Sequence, residues 1–254
     1  MSEGPILILS PATASSNNGN WRTAARWQKL LSRFGPVIIA QHWCAEPVSA
    51  MIALNGRRSA DSIARFRAAC PEKPLAVVLT GTDLYGEMAP ASVVHHSLQC
   101  ASHIVVLQAE ALQRLNPAER LKARVILQSC SRLLRHDKAQ RSFDLVAVGH
   151  LRAEKDPLAL MEAARQLRGH ERLRIVHIGA ALDPQLGDAA RETMAQCPNY
   201  RWLQGLPVGP TRRWIARSRA LIHMSRLEGG AHAVIEAVRS AVPVLASRID
   251  GNVG

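Results

Sequence analysis

Residues 225–237 read SRLEGGAHAVIEA, and their pattern predicts a loop that continues as a helix. From Ala233 onward, apolar and polar residues alternate at helical spacing, whereas the Gly-Gly pair before them interrupts any regular pattern. Glycines at the start of a helix let the backbone approach a ligand closely, with free N–H groups pointing at it. We therefore expect Gly229 and Gly230 to lie against a bound ligand.

Two carboxylates flank this segment. Glu228 directly precedes the glycines, and Glu236 follows about two turns later, which would place both on roughly the same helix face. An anion-binding helix end with carboxylates at two depths suits a nucleotide-linked sugar. Its phosphates would lie at the helix end, and its hydroxyls would bind the carboxylates.

Short apolar runs alternate with helical patterns on either side of a polar, basic stretch at residues 132–141. The predicted strands are residues 6–9, 37–40, 75–79, 104–107, 125–127, 143–148, 173–178, 200–203, 220–224 and 243–246. The predicted helices are residues 21–32, 59–69, 91–100, 157–167, 187–196, 211–217 and 231–240. This alternation predicts an α/β protein with two Rossmann-like, doubly wound parallel-sheet domains facing a cleft, at residues 1–140 and 141–254. We expect the second domain to be incomplete, because the sequence ends shortly after a strand.

The composition excludes several classes of protein. Hydrophobic residues make up 47% of the 254 residues without any run as long as a membrane span, and we expect no signal peptide. The five cysteines never form a Cys-x-x-Cys pair, which argues against a disulfide framework or a zinc site and favours the cytoplasm. The net charge of +12 raises nucleic-acid binding as an alternative, but the excess is spread over both halves. A solvated basic surface is the better interpretation.

Three further groups of polar residues follow predicted strands. Gly19 and Asn20 lie between the first strand and the first helix, where doubly wound domains place a ligand loop. Thr80 and Thr82 follow a later strand of the first half. Arg152 and Lys155 follow a strand and a glycine in the second half, where cations could hold phosphate oxygens or could simply be solvated.

The second half resembles the nucleotide-sugar domain of GT-B glycosyltransferases of the family-4 type, in which seven residues separate two carboxylates. The resemblance starts at VAVGHLR (residues 146–152) and EKDP (residues 154–157) and extends to the end of the sequence. In the first half, residues 19–27 (GNWRTAARW), 57–60 (RRSA) and 79–85 (LTGTDLY) are similar to the selenosugar synthases of selenoneine biosynthesis. Four sites depart from that pattern, namely Trp21, the Asn55-Gly56 pair, His232 and Ala241.

The resemblance implies a role for each candidate residue. Glu228, Arg152 and Lys155 would be catalytic, the two cations by neutralising the leaving diphosphate. The donor would be bound by Gly19, Asn20, Arg152, Lys155, Glu228, Gly229, Gly230, Ala231 and Glu236, with Glu236 on the ribose. Arg57, Arg58, Thr80 and Thr82 would hold an anionic acceptor, which needs no general base such as Asp83. We expect His95 and His96 to be structural.

The expected function is transfer of a sugar from a UDP-sugar, with UDP-N-acetylglucosamine as the expected donor, to selenophosphate. No cofactor or metal is expected, because no ligand cluster is visible in the sequence. One alternative is a family-4 transferase with an ordinary hydroxyl acceptor, which would call for a base or assistance from the leaving phosphate. The other is a non-catalytic nucleic-acid-binding protein. The sequence leaves the oligomeric state open.

Overall fold

The computed structural model describes residues 4–16, 18–86, 91–131 and 136–253. By its internal contacts the chain divides into two compact units. The first runs up to Ser129 and also includes Leu227–Ala231, whereas the second comprises Cys130–Arg226 and His232–Asn252. The division therefore falls before the predicted boundary at residues 140 and 141.

The position of the division has a physical reason. In the segment predicted as a linker, residues 132–135 lie outside the described residues, but the rest packs on the second unit. Lys138 Nζ donates to the Ala216 carbonyl at 2.8 Å, and Arg219 donates to the Ala139 carbonyl at 3.2 Å. These bonds attach the end of the basic stretch to the second unit.

The first unit contains a six-stranded parallel sheet with the strand order β2-β1-β3-β4-β5-β6. Its strands are β1 (Ile6–Leu9), β2 (Val37–Ala40), β3 (Ala50–Leu54), β4 (Leu75–Leu79), β5 (His103–Val106) and β6 (Ala123–Val125). Its helices are α1 (Gly19–Leu31), α2 (Ala60–Ala69), α3 (Thr82–Tyr85), α4 (Ala91–Cys100) and α5 (Pro117–Leu121). Strand β3, which pairs with both β1 and β4, was missing from the predicted strands.

The second unit contains a five-stranded parallel sheet with the strand order β11-β10-β7-β8-β9. Its strands are β7 (Phe143–Val148), β8 (Leu173–Ile178), β9 (Tyr200–Leu203), β10 (Ala220–His223) and β11 (Val244–Ala246). Its helices are α6 (Pro157–Gln166), α7 (Pro184–Gln196), α8 (Val208–Arg217), α9 (His232–Arg239) and α10 (Asp250–Val253). The predicted architecture of two parallel-sheet α/β domains is confirmed.

The two faces of the first sheet are both covered. Leu7 and Leu9 of β1 belong to one buried cluster, whereas Ile8 between them belongs to another. Successive side chains of a strand point to opposite faces, so an uninterrupted apolar run is what a sheet covered on both sides requires. The second unit repeats the arrangement, since Leu145 and Val146 of β7 also belong to different clusters.

Ala241, one of the departures from the family pattern, lies after α9 with a φ of 53°. Its N–H donates to the Val238 carbonyl at 3.0 Å, and the next N–H, of Val242, donates to the Ala237 carbonyl at 2.9 Å. This left-handed position usually carries glycine, and alanine there costs about 1 kcal/mol.

None of the helices in the described part of the chain is long and apolar enough to cross a membrane.

Candidate functional site

In the first unit, the loops that follow β3 and β4 are joined by Asp83. One oxygen of its carboxylate accepts the N–H groups of Thr80 and Gly81, at 2.8 and 2.9 Å, and the other accepts that of Gly56 at 2.9 Å. Burial raises the pKa of Asp83, against the opposing effect of these hydrogen bonds. Because the carboxylate is fully used by the backbone, Asp83 is an anchor for the two loops.

Asn55, at the end of β3, contacts both threonines of the predicted acceptor site. Its Nδ2 donates to Thr80 Oγ1 at 3.0 Å and to Thr82 Oγ1 at 3.1 Å, while its Oδ1 accepts the Arg58 N–H at 3.0 Å. Asn55 is buried and has a φ of 65°, a conformation that asparagine tolerates better than most residues. In the sequence, Asn55 stands out only as a departure from the family pattern.

A cavity of ≈ 130 Å³ lies beside these loops. It is lined by Arg57, Thr82, Asp83, Leu84, Gly86, Val94, His95, Leu98, Arg114, Leu115 and Glu119. The structure thus brings together Arg57 and Thr82, two of the four predicted acceptor residues. Thr80 is not among the lining residues, and neither is Arg58, which is exposed.

The cavity wall also contains a histidine and a carboxylate in contact. His95 Nδ1 lies 2.6 Å from Glu119 Oε1, and the exposed fractions of the two side chains are 46% and 5%. The other oxygen of Glu119 accepts the Asn116 N–H at 2.9 Å in a capping box at the start of α5. The signal that could have revealed this helix start is the Asn-x-x-Glu spacing of residues 116–119. His95 thus contacts a buried carboxylate in the cavity wall, a contact that the sequence did not indicate.

The packing of the Gly-Gly pair explains why these residues are glycines. A Cβ on Gly229 would lie 2.4 Å from the Thr80 carbonyl carbon, and one on Gly81 would lie 2.6 Å from the Gly229 nitrogen. A Cβ on Gly230 would lie 3.0 Å from Gln128 Cγ. Glycines are thus required at these positions because two backbone segments approach closely. From the sequence, the expected reason was contact with a bound ligand.

The start of α9 corrects a second expectation. The helix begins at His232, so Glu228 and Ala231 belong to the preceding loop and not to a helix. Glu228 is half-buried there, and it cannot share a helix face with Glu236 as predicted. The seven-residue spacing between the carboxylates is therefore part loop and part helix.

Gly19 and Asn20 form the first turn of α1 and not a loop before it. Asn18 caps this helix by accepting the Trp21 N–H at 3.2 Å, and Asn17 lies outside the described residues. Gly19 is exposed and Asn20 half-buried, so both remain accessible at the start of the helix.

In the second unit, Arg152 directly precedes a short 3₁₀ turn (Ala153–Lys155) after β7, and Lys155 is the last residue of that turn. Both are half-buried, and Arg152 Nε lies 3.9 Å from Glu154 Oε2. Lys155 contributes to the lining of a small cavity of ≈ 20 Å³ at the carboxyl ends of β7 and β10, together with Gly149, His177 and His223. This edge of a parallel sheet is where doubly wound domains bind their ligands.

Glu236 is fully buried in α9. Arg212 Nε of α8 donates to Glu236 Oε1 at 2.9 Å, and the exposed fraction of the Arg212 side chain is 29%. Arg212 was not predicted, since nothing in the sequence relates the two helices. A carboxylate kept in the interior by one arginine is a strong acceptor of hydrogen bonds.

Burial lowers the pKa of His177 on β8 to about 4, so its imidazole is neutral at physiological pH. Its Nδ1 lies 2.9 Å from the Tyr200 hydroxyl, whose pKa is raised by burial. The floor of the small cavity is therefore uncharged at this position, and Lys155 is a nearby source of positive charge.

Residues 135–254 match the family model described as "Glycosyl transferases group 1". The chain is also 28% identical, over 153 residues, to "Glycosyltransferase 1 domain-containing protein 1" of Xenopus tropicalis. That match covers 60% of this chain and 43% of the relative, so the chain spans about two fifths of the length of the curated relative that it matches. The family match thus covers the second half of the sequence, from residue 135 onward.

Solved structures extend the likeness to the first half. Anabaena HepE in complex with UDP has a TM-score of 0.66 at 14% identity, over 98% of this chain and 82% of that one. TarM of S. aureus, in one structure with UDP, has a TM-score of 0.60 at 13% identity, over 79% of this chain and 41% of that one. These similarities identify the GT-B fold, and the predicted fold class is confirmed.

Proposed function

We propose that this protein is a glycosyltransferase that uses a UDP-sugar as its donor. The observation that carries the proposal is the family match over residues 135–254, since it includes both Glu228 and Glu236. The presence of UDP in the HepE and TarM structures supports a uridine diphosphate as the leaving group. By the family resemblance, UDP-N-acetylglucosamine is the proposed sugar donor.

In this proposal the second unit holds the nucleotide. Arg152 and Lys155 bind the diphosphate and offset the negative charge that grows on it as the glycosidic bond breaks. Glu236 accepts hydrogen bonds from the ribose hydroxyls, and Arg212 orients this carboxylate. Glu228 stabilises the positive charge that develops at the anomeric carbon. By the family resemblance, backbone N–H groups at Gly19, Asn20, Gly229, Gly230 and Ala231 are further proposed contacts of the donor.

We propose selenophosphate as the acceptor on the basis of the family resemblance. Its selenium attacks the anomeric carbon, a C–Se bond forms, and the electrons of the broken C–O bond leave with UDP. Hydrolysis of the P–Se bond then gives phosphate and a selenosugar for selenoneine biosynthesis. Cationic side chains, without a metal ion or another cofactor, neutralise the charges of both substrates. The free cysteines of the described residues are consistent with a cytoplasmic location.

One observation favours a hydroxyl acceptor as a second candidate. A hydroxyl must lose its proton during transfer, and His95, contacted by the carboxylate of Glu119, has the arrangement of a general base. An acceptor that is already anionic would not require this pair.

The test is to incubate the protein with UDP-sugars, with and without selenophosphate, and to measure UDP and the sugar product by mass spectrometry. The proposal predicts UDP release that depends on selenophosphate and a product containing selenium. Arg152→Ala and Lys155→Ala should lower turnover about 100-fold while leaving the affinity for uridine nearly unchanged. Equal losses of uridine and UDP binding would make these residues structural. UDP release that instead requires a hydroxyl compound would identify the second candidate.

A further inference from the structure

The orientation of the Asn55 side chain amide is fixed by its neighbours. Its Oδ1 accepts the Arg58 N–H at 3.0 Å, and the reversed orientation would direct one donor at another. Nδ2 must therefore lie towards Thr80 and Thr82 and donate to both Oγ1 atoms, at 3.0 and 3.1 Å.

This arrangement determines what the threonine hydroxyls can do. Since each Oγ1 accepts a hydrogen bond from Asn55, its own proton is left to donate elsewhere. Among the described residues, neither hydroxyl has another hydrogen-bond partner. Thr82 lines the 130 Å³ cavity, so its proton is available to a ligand there. Such a donor favours a ligand atom that only accepts hydrogen bonds.

The charged groups around the cavity favour the same kind of ligand. Arg57 and Arg114 lie in its wall, and within the described part of the chain the Arg57 guanidinium has no ion pair or hydrogen bond. The two carboxylates of the wall are occupied, Asp83 by three backbone N–H groups and Glu119 by His95 and the Asn116 N–H. The Thr82 hydroxyl and the Arg57 guanidinium therefore remain for a ligand.

We propose that Asn55 is a positioning residue that keeps the Thr82 hydroxyl as a hydrogen-bond donor, and that it thereby makes this cavity selective for a small oxyanion of the phosphate class that presents an unprotonated oxygen to this hydroxyl. Arg57 and Arg114 supply the positive charge. The inference rests on the proposed function in one respect, since the anion would be the acceptor of the sugar. It extends that function by assigning Asn55 and Arg114, and by giving a reason for anion selectivity.

The experiment measures binding of orthophosphate and thiophosphate by calorimetry, at constant ionic strength and with saturating UDP, so that sites for the nucleotide diphosphate are filled. Asn55→Asp is nearly isosteric, but the carboxylate oxygen that replaces Nδ2 turns both threonine hydroxyls towards itself. It should raise the dissociation constant of the anion at least about tenfold. Asn55→Gly suits the left-handed backbone and frees the hydroxyls to rotate, so it should raise the constant only about threefold. Thr82→Val should raise the dissociation constant as much as Asn55→Asp does. Thr82→Ser, which keeps the hydroxyl, should bind the anion like the unmodified protein.

Arg33→Ala is the control for charge, because Arg33 is exposed in the same unit and lies away from the cavity lining. It should leave binding unchanged, whereas Arg57→Ala should abolish it. Equal effects of Asn55→Asp and Asn55→Gly would overturn the proposal, as would the absence of anion binding to the unmodified protein. Failure of the proposed function can be distinguished from failure of this inference. It would appear as no UDP binding or no sugar transfer, while the variants still show the expected order of anion affinities.

Discussion

Replacement of Glu236 by glutamine tests the donor site most directly. The carboxylate is fully buried, and Arg212 donates to it at 2.9 Å. If it also binds the ribose, Glu236→Gln loses a charge-assisted hydrogen bond there and weakens UDP binding by about 1–3 kcal/mol, or about 5- to 150-fold. The same change removes the negative charge that Arg212 contacts and should lower the free energy of unfolding by roughly 2 kcal/mol.

Two measurements are needed because the residue has two roles in this reasoning. Calorimetry gives the dissociation constant of UDP, and urea unfolding gives the stability. Arg212→Lys is the matched control, since it perturbs the ion pair and leaves the Glu236 carboxylate in place. It should reduce stability with less than a threefold effect on UDP affinity. If Glu236→Gln lowers stability but binds UDP like the unmodified protein, the carboxylate only supports packing and the ribose assignment is refuted.

Three other perturbations follow from the structure. In urea unfolding, Gly229→Ala should lower the stability by about 3 kcal/mol and Gly230→Ala by about 1 kcal/mol. The reason is that only a Cβ on Gly229 would lie within 2.5 Å of backbone atoms. Equal losses of stability would contradict this explanation. Burial lowers the pKa of His177 from 6.5 to about 4, so on acidification the unfolded chain takes up a proton before the folded protein does. The free energy of unfolding should therefore fall by about 1.4 kcal/mol for each unit by which the pH drops from 6.5 to 4. His177→Asn should reduce this slope in urea unfolding measured across that pH range. Burial acts to raise the pKa of Asp144, but hydrogen bonds from Arg174 and Ser142 outweigh it, and the pKa is lowered from 3.8. Asp144→Asn should therefore lower the free energy of unfolding by about 2 kcal/mol at neutral pH. That difference from the unmodified protein should shrink as the pH falls below 3.8, where the carboxylate becomes protonated.

The sequence by itself determined the fold class and most of its elements. Uninterrupted apolar runs such as Ile6–Leu9 and Phe143–Val148 are strands because both faces of a parallel sheet are buried, and this requirement is local to each run. Strand β3 was not predicted, although its AMIAL sequence is also an uninterrupted apolar run. The seven-residue spacing of Glu228 and Glu236 was likewise visible without a structure, and the family match over residues 135–254 includes both.

Only the tertiary structure decided which polar groups meet. Asn55, Thr82 and Asp83 lie at the ends of strands that pair side by side, and Arg114 joins Arg57 at the cavity from a distant part of the sequence. Arg212 and Glu236 meet because two helices pack together, which no periodicity in either helix encodes. The glycines at positions 81 and 229 gained their explanation in the same way. Sequence patterns report the environment of each residue along its own element, whereas partners across elements depend on the packing of the whole unit.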